Sequence, residues 1–536
     1  MRTPINRFVA ATGWRGFALN IGLGATAVLG HAPFYLWPVT ILCFALFMLR
    51  LDAARLRAKP LRRGFWCGFS FALGYFVAGL YWIGSAFVAR GPEFIPLMPF
   101  AILGLCAGLA LFWAIGGLAY VRLCGVKRTS LWSAGIFASV FFIVEFARGH
   151  IFSGFPWNLP GYIFAAGKPV SQTASIVGIY GLTALVFFLS AATALWIASP
   201  KKYVPLVLWL GVVALSFGYG SWRLSQADIK YVDGVKLRIV HANIPQRDKF
   251  DPNKYVQTVN TYLQLSRSAG FEDVTHIIWP EGAVPGLIFE DPILMAAIEQ
   301  MALSGTSSGT GAPPVFVTQT LRVENRQDKP KPNYYNSAAA VSFKAGAPPQ
   351  YTAYYDKQKL VPFGEFIPGR GLLEKLGFRS LSSALESMTP GSSGVMPHLP
   401  GLPAVSIQIC YEIIFPGFTQ KNRPENAQKP NWILNLSNDS WYGNSSGPRQ
   451  HINQARYRAI EQGLPVIRAT SGGISGAIDP YGRQLNQLGV GEQGVIDTLL
   501  PQPLTRTFYN YTTNYRMFLL IAFLLIGCKV GMHRAR

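Results

Sequence analysis

Three short stretches of this 536-residue chain each run from an apolar, strand-like sequence into one ionisable side chain. Glu281 follows His276-Ile277-Ile278-Trp279-Pro280, Lys357 follows Tyr351 to Asp356, and Cys410 follows Ala404-Val405-Ser406-Ile407-Gln408-Ile409. A carboxylate, an ammonium and a thiol brought to one rim are the parts of an acyl-transferring site. The thiolate attacks an acyl carbon, the carboxylate moves protons, and the ammonium stabilises thiolate and oxyanion. A free thiol is only a few per cent ionised at neutral pH, so Cys410 needs both neighbours. Gly282, with no side chain, permits close backbone approach beside Glu281. Glu365, in Pro362-Phe363-Gly364-Glu365-Phe366, is a second carboxylate able to orient Lys357 or the substrate, whereas Lys359 reads as a surface residue. A lone cysteine is most often a small buried hydrophobe and a lone Glu or Lys a solvated surface residue. Three such strand ends around one thiol shift that balance toward chemistry.

The elements that must position them read as α/β. Strands are expected at Val235–Ala242, Val274–Trp279, Val315–Thr320, Ala338–Phe343, Tyr351–Tyr355, Ala404–Ile409, Trp432–Leu436, Val466–Ala469 and Gly476–Ile478, with helices at Lys254–Ala269, Leu294–Leu303 and His451–Gln462. Strands with intervening helices imply a layered domain. The Gly/Ser-rich stretch Ser304–Gly311 lacks the Gly-Lys-Ser/Thr ending of a phosphate loop and reads as a plain loop.

The rest of the chain is of another kind. Half of all residues are hydrophobic and 14% are charged. Apolar runs near Phe17–Gly30, Leu36–Leu49, Phe65–Val88, Ile95–Val121, Leu131–Phe146, Val170–Ala198, Val204–Gly220 and Met517–Cys528 give about eight candidate bilayer spans. The division expected is a transmembrane bundle over 1–222, a catalytic domain over 223–510 and a final span in 511–536. The formal charge of +22 invites a nucleic-acid reading, but residues 223–510 carry 27 Lys+Arg against 23 Asp+Glu and show no basic face with interleaved aromatics. The excess sits in the membrane part, where 17 basic residues fall on one side of an eight-span arrangement and Arg90, Arg148, Lys168 and Arg516 on the other. The positive-inside rule then puts both termini in the cytoplasm and the domain between spans seven and eight outside it. A cleaved signal peptide is disfavoured, because the second span follows at once without a convincing small-residue cleavage site. Cys410 is the single cysteine of the 223–510 region, so no intradomain disulfide is expected.

The order Glu, Lys, Cys with Trp-Pro-Glu-Gly, Tyr-Asp-Lys followed by Leu-Val-Pro-Phe-Gly-Glu-Phe, and Cys-Tyr-Glu resembles the carbon-nitrogen hydrolase (nitrilase) superfamily. The surrounding spans, with Gly154-Phe155-Pro156-Trp157-Asn158 and Ser437-Asn438-Asp439-Ser440-Trp441-Tyr442-Gly443, resemble the apolipoprotein N-acyltransferase family. The resemblance implies an αββα sandwich on a multi-pass bundle and a Glu281, Lys357, Cys410 triad. It implies Glu365, Tyr411, Glu412, Phe250, Trp441 and Trp157 as supporting or substrate-binding residues, with no cofactor and no metal. Phe250 stands where the family typically has a tryptophan, which keeps a stacking surface and loses the indole N–H. The implied reaction moves an acyl chain from a phospholipid, typically phosphatidylethanolamine, through a Cys thioester to the α-amine of a diacylglyceryl-cysteine. The implied partners are that lipid and that apolipoprotein, with no nucleic acid, and the enzyme is implied to be a monomer of the bacterial inner membrane with a periplasmic catalytic domain.

Other readings of the same residues exist. An amidase would use the triad with water as acceptor, and a thiol protease would pair Cys410 with His451, which otherwise reads as a structural residue near a helix start. A transporter is the weakest reading, because the spans hold little that ionises beyond Glu145. Phe366–Met388 reads either as a mobile amphipathic lid or as a packed surface helix. Trp157 and its aromatic neighbours read either as an interfacial belt or as a lipid-facing floor.

Overall fold

In the computed structural model, the described residues are 4–125, 129–200, 203–249, 251–305, 311–325, 331–370, 387–392, 398–421 and 428–510. The central part of the expected lid (371–386), Phe250 and the final span (511–536) lie outside them. The described chain forms two units. One comprises residues up to 227 with 445–462 and the segment from 506, and the other comprises 228–444 and 463–505.

In the first unit, six described helices are long and apolar enough to cross a bilayer: Trp37–Arg55, Pro60–Arg90, Pro92–Cys124, Leu131–Arg148, Pro169–Ala198 and Val204–Ser225. The first expected span is a shorter helix, Gly13–Ala27, of 15 residues, continued by a 3-10 turn. Glycines let the helices touch through their backbones, the packing that replaces hydrophobic drive in lipid. A Cβ on Gly117 would stand 2.3 Å from Gly64 O, and one on Gly68 2.2 Å from Trp113 O. Glu145 is neutralised within its own helix by Arg148 at 2.6 Å and accepts the Trp113 indole N–H at 2.7 Å. The helix Ala174–Ala198 breaks at Gly178, φ +67°, and the Ile179 N–H released there donates to Glu461 at 2.7 Å.

Glu461 belongs to the helix Ser446–Gln462, which packs within this first unit. Trp157 Nε1 donates to Gln450 at 2.8 Å, and Ala166 N donates to Asn453 at 3.2 Å. Trp157 is 1% exposed. It is therefore neither an interfacial anchor nor a lipid-facing floor; its indole N–H is spent on a buried amide.

The second unit is built on two sheets. The larger takes β1 (Tyr231–His241), β2 (His276–Ile278), β3 (Val315–Glu324), β4 (Asn333–Lys344), β5 (Ala347–Tyr351), β6 (Tyr355–Asp356) and β12 (Gly494–Pro501), in the order β12-β1-β2-β3-β4-β5 with β6 also on β4. The smaller runs β11-β10-β9-β8-β7, from β7 (Val405–Ile409), β8 (Trp432–Ser437), β9 (Val466–Thr470), β10 (Ser475–Ile478) and β11 (Gln484–Leu488). Alternation puts Leu237 and Ile239 of β1 and Ile407 and Ile409 of β7 into one core between the sheets. The other face of the larger sheet buries Ile277, Phe316 and Val341 with the helices Tyr255–Ser266 and Pro292–Leu303. These are the helix, sheet and sheet layers of a sandwich. The stretch expected as one strand, Tyr351–Tyr355, is instead split between two, because Tyr351 pairs with Val341 and Tyr355 with Ala338, leaving three residues on one side against two on the other.

Replacing Gly117 by Val should force the helices Pro60–Leu80 and Met98–Cys124 apart and destabilise the bundle by about 1–3 kcal/mol. Gly104→Val in the same helix, where a Cβ meets nothing within 4 Å, is the control. Thermal unfolding in detergent should show a lowered midpoint for the first variant and not the second.

Candidate active site

β1, β2 and β3 run parallel in one sheet and β7, β8 and β9 in the other. Residues just past their carboxyl ends supply most of the site, the usual place for ligands in parallel sheets. Glu281 lies three residues past β2, Cys410 immediately follows β7, Asn438 immediately follows β8, and Lys357 immediately follows β6. Lys357 extends that pairing, its N–H donating to Asn336 O at 2.8 Å.

The Glu281 carboxylate is held at both oxygens. Oε1 accepts from Asn336 Nδ2 at 2.8 Å and faces Lys357 Nζ at 3.7 Å, and Oε2 accepts the Asn438 backbone N–H at 2.9 Å. Lys357 is 1% exposed and donates to Glu365 Oε1 at 2.8 Å. Glu365 is itself fixed, by Asn336 Nδ2 at 3.0 Å and by the Val361 N–H at 2.8 Å. Asn336 thus bridges the two carboxylates, and its Oδ1 is a buried acceptor with no partner among the described residues. Burial works against the charge of Lys357, but Glu365, Glu281 and Cys410 outweigh it and raise its pKa.

Cys410 has φ +50°, the left-handed region that a side chain with a Cβ enters at a cost. It opens the 3-10 turn Cys410–Ile414. Glu412 holds that turn: its carboxylate accepts from Ile409 N at 2.7 Å and Tyr355 OH at 2.9 Å on one oxygen, and from Gln358 N at 2.7 Å and Lys359 N at 3.1 Å on the other. One buried carboxylate therefore ties the thiol's turn to the segment that carries Lys357. Burial pushes the Glu412 pKa up to about 7 against those N–H donors and Lys357. Burial, then the charge of Glu281, push the Cys410 thiol up to about 12, while Lys357 and the Ser437 hydroxyl pull it down. The thiol at rest is neutral and needs a base to take its proton.

The three expected triad residues therefore lie in mutual electrostatic contact, with Glu365 bonded to Lys357 and Glu412 bonded to the residues that flank Lys357 and Cys410. Tyr411 is buried with its ring edge-on to Phe415 at 5.0 Å, and Trp441 lies half-buried in the turn after β8. Trp157 and His451 belong to the first unit, where their rings pack at 5.3 Å. Sequence reasoning singled out neither Asn336 nor Asn438. Asn438 stood in the quoted Ser-Asn-Asp-Ser-Trp motif. Asn336 begins the β4 stretch paired with Lys357 and carried no local signal.

Residues 23–192 match the family described as Apolipoprotein N-acyltransferase N-terminal domain, and residues 236–509 match Carbon-nitrogen hydrolase. A protein of Rhodopseudomonas palustris named Apolipoprotein N-acyltransferase is 37% identical over 97% of this chain and 95% of its own. Proteins of the same name from Bradyrhizobium diazoefficiens and Caulobacter vibrioides are 37% and 35% identical, covering 93% and 98% of this chain and 91% and 95% of theirs. Among solved structures, a mutant amidase from Nesterenkonia sp. AN1, modified by acrylamide at its active-site cysteine, aligns with 53% of this chain and 99% of its own at 15% identity and a TM-score of 0.35.

Two substitutions test the geometry. Lys357→Met removes the cation that favours the thiolate, so alkylation of Cys410 by iodoacetamide at a fixed pH near 8 should slow by about tenfold or more, one pKa unit being tenfold in thiolate. Glu412→Gln sets an amide N–H against backbone donors and should cost about 2 kcal/mol or more, read as a lowered unfolding midpoint.

Proposed function

We infer the reaction from one premise: this chain belongs to the apolipoprotein N-acyltransferase family. It is a multi-pass membrane protein carrying a nitrilase-like α/β domain, and it is an acyltransferase acting on lipoprotein and lipid substrates. In our reading the donor is phosphatidylethanolamine and the acceptor is the α-amine of an N-terminal diacylglyceryl-cysteine. The enzyme works as a monomer in the bacterial inner membrane, with 1–222 and 511–536 as membrane parts, both termini cytoplasmic, and 223–510 as the periplasmic catalytic domain.

Glu281 takes the Cys410 proton, and the thiolate attacks the sn-1 ester carbonyl. As the tetrahedral adduct collapses, the C–O bond breaks, Glu281 returns the proton to the departing lysophospholipid oxygen, and a thioester remains on Sγ. In the second half the lipoprotein amine attacks that thioester, Glu281 receives the amine proton, and as the C–S bond breaks to leave an amide Glu281 passes that proton to the departing sulfur and restores the thiol. Lys357 stabilises the thiolate and both oxyanions. Glu365 orients Lys357, and Glu412 and Tyr411 fix the Cys410 turn. Phe250 and Trp441 complete the lipid-binding set, with Trp157 as a supporting residue. The observation that carries this reading is the Glu281 carboxylate, anchored at both oxygens by Asn336 and Asn438 beside Lys357, and charge-coupled to a thiol that cannot ionise unaided.

Mass spectrometry after incubation with phosphatidylethanolamine should show one added acyl mass on Cys410, discharged by a diacylglyceryl lipopeptide. Cys410→Ala should abolish it. An adduct that survives Cys410→Ala sinks the mechanism, and release of free fatty acid in place of acyl transfer favours a hydrolase.

A further inference from the structure

The site contains a second buried ammonium that this mechanism leaves unused. Lys249, 5% exposed, ends the short helix Gln246–Lys249. Its Nζ lies 3.3 Å from Asn438 Oδ1 and 3.4 Å from Ser440 Oγ, and it donates to Ser471 Oγ. The Ser440 hydroxyl proton is given to Ser471 O at 2.5 Å, so Ser440 Oγ faces Lys249 as an acceptor. Asn438 is oriented the same way, its Nδ2 donating to Gln246 Oε1 at 3.0 Å and leaving Oδ1 to accept. Three oxygens thus surround a group that carries three protons only when charged. The cradle is also part of the catalytic rim, because the Asn438 backbone N–H donates to Glu281 Oε2.

We propose that Lys249 is a positioning residue of the acyl-transfer site: its ammonium holds the Asn438 turn in place, and with it the backbone N–H that the Glu281 carboxylate accepts. Glu281 is then flanked by two cations. Lys357 faces Oε1 and is shared with Glu365, and Lys249 acts at Oε2 through Asn438. The other ionisable groups at this corner are Cys410, Tyr442 and Asp439, and Asp439 is paired with Arg468 at 2.6 Å. Burial pulls the Lys249 pKa down to about 7, with Glu281 opposing.

The proposal rests on the reading that Glu281 activates Cys410, and its test needs no acyl donor. Iodoacetamide alkylation of Cys410, resolved from the other cysteines by mass spectrometry, is followed against pH on the full-length protein in detergent. Below pH 7, where Lys249 carries its charge, Lys249→Met should slow the alkylation by about tenfold relative to wild type, a deficit that shrinks as pH rises through 7, and Lys249→Arg should restore the rate. Ser440→Ala keeps the lysine, removes one cradle oxygen and should give the same pH-dependent slowing to a smaller degree. Should the Lys249 variants fail to fold, Ser440→Ala decides alone. A folded Lys249→Met or Ser440→Ala protein whose rate relative to wild type is the same below and above pH 7 overturns the proposal, whatever its absolute rate. A pH-dependent deficit in a protein that never forms an acyl-enzyme from phospholipid would sink the acyl-transfer reading and leave this one standing.

Discussion

The catalytic geometry hangs on the carboxylate of Glu412. It is fully buried, yet each oxygen meets two donors, and those donors come from two segments of the chain, Tyr355–Lys359 and Ile409. A buried charge is tolerable only when so completely hydrogen-bonded, and loss of a single partner leaves the rest uncompensated. The same arrangement fixes the left-handed turn that presents the Cys410 thiol and the loop that presents Lys357. Strain at a nucleophile persists only where its surroundings over-determine it. Here the over-determination comes from one side chain two residues along.

Around that anchor the site alternates charge and amide. Two carboxylates, Glu281 and Glu365, share one buried ammonium and one asparagine side chain, so neither carboxylate can shift without disturbing the other. Preorganisation of this kind suits the acid–base role proposed for Glu281, with its neighbour staying put. The thiol shows the complementary feature. Buried beside a negative charge, it stays protonated until the base acts.

Much of this was legible in the sequence. Alternation in Ala404–Ile409 and the apolar run His276–Trp279 announced strands ending at Cys410 and Glu281, and local sequence is enough for that, because side-chain period and turn residues are local properties. The polar strand Gln484–Leu488 and the two-residue β6 had no such periodicity; pairing with β10 and β4 creates them. The first apolar run, Phe17–Gly30, is a helix that starts earlier, at Gly13, and gives way to a 3-10 turn over its last three residues, a change of backbone that composition does not mark. Trp157 read as a surface aromatic because exposure is not written in a motif. Asn336, Asn438 and Lys249 are invisible to sequence reasoning for another reason: their roles lie in which atom of a distant residue they reach.

The helix Ser446–Gln462 lies between β8 and β9 in the chain and inside the span matched to the carbon-nitrogen hydrolases, yet it packs in the helical unit. The gene therefore does not divide where the fold does. A truncated chain that begins at residue 223 would carry this helix away from Trp157, Ala166 and Ile179, stranding a buried glutamate and two buried amides without their partners. Domain swapping between relatives, or excision of a water-soluble fragment for screening, has to respect a boundary that is crossed at both ends of the segment Ser445–Gln462.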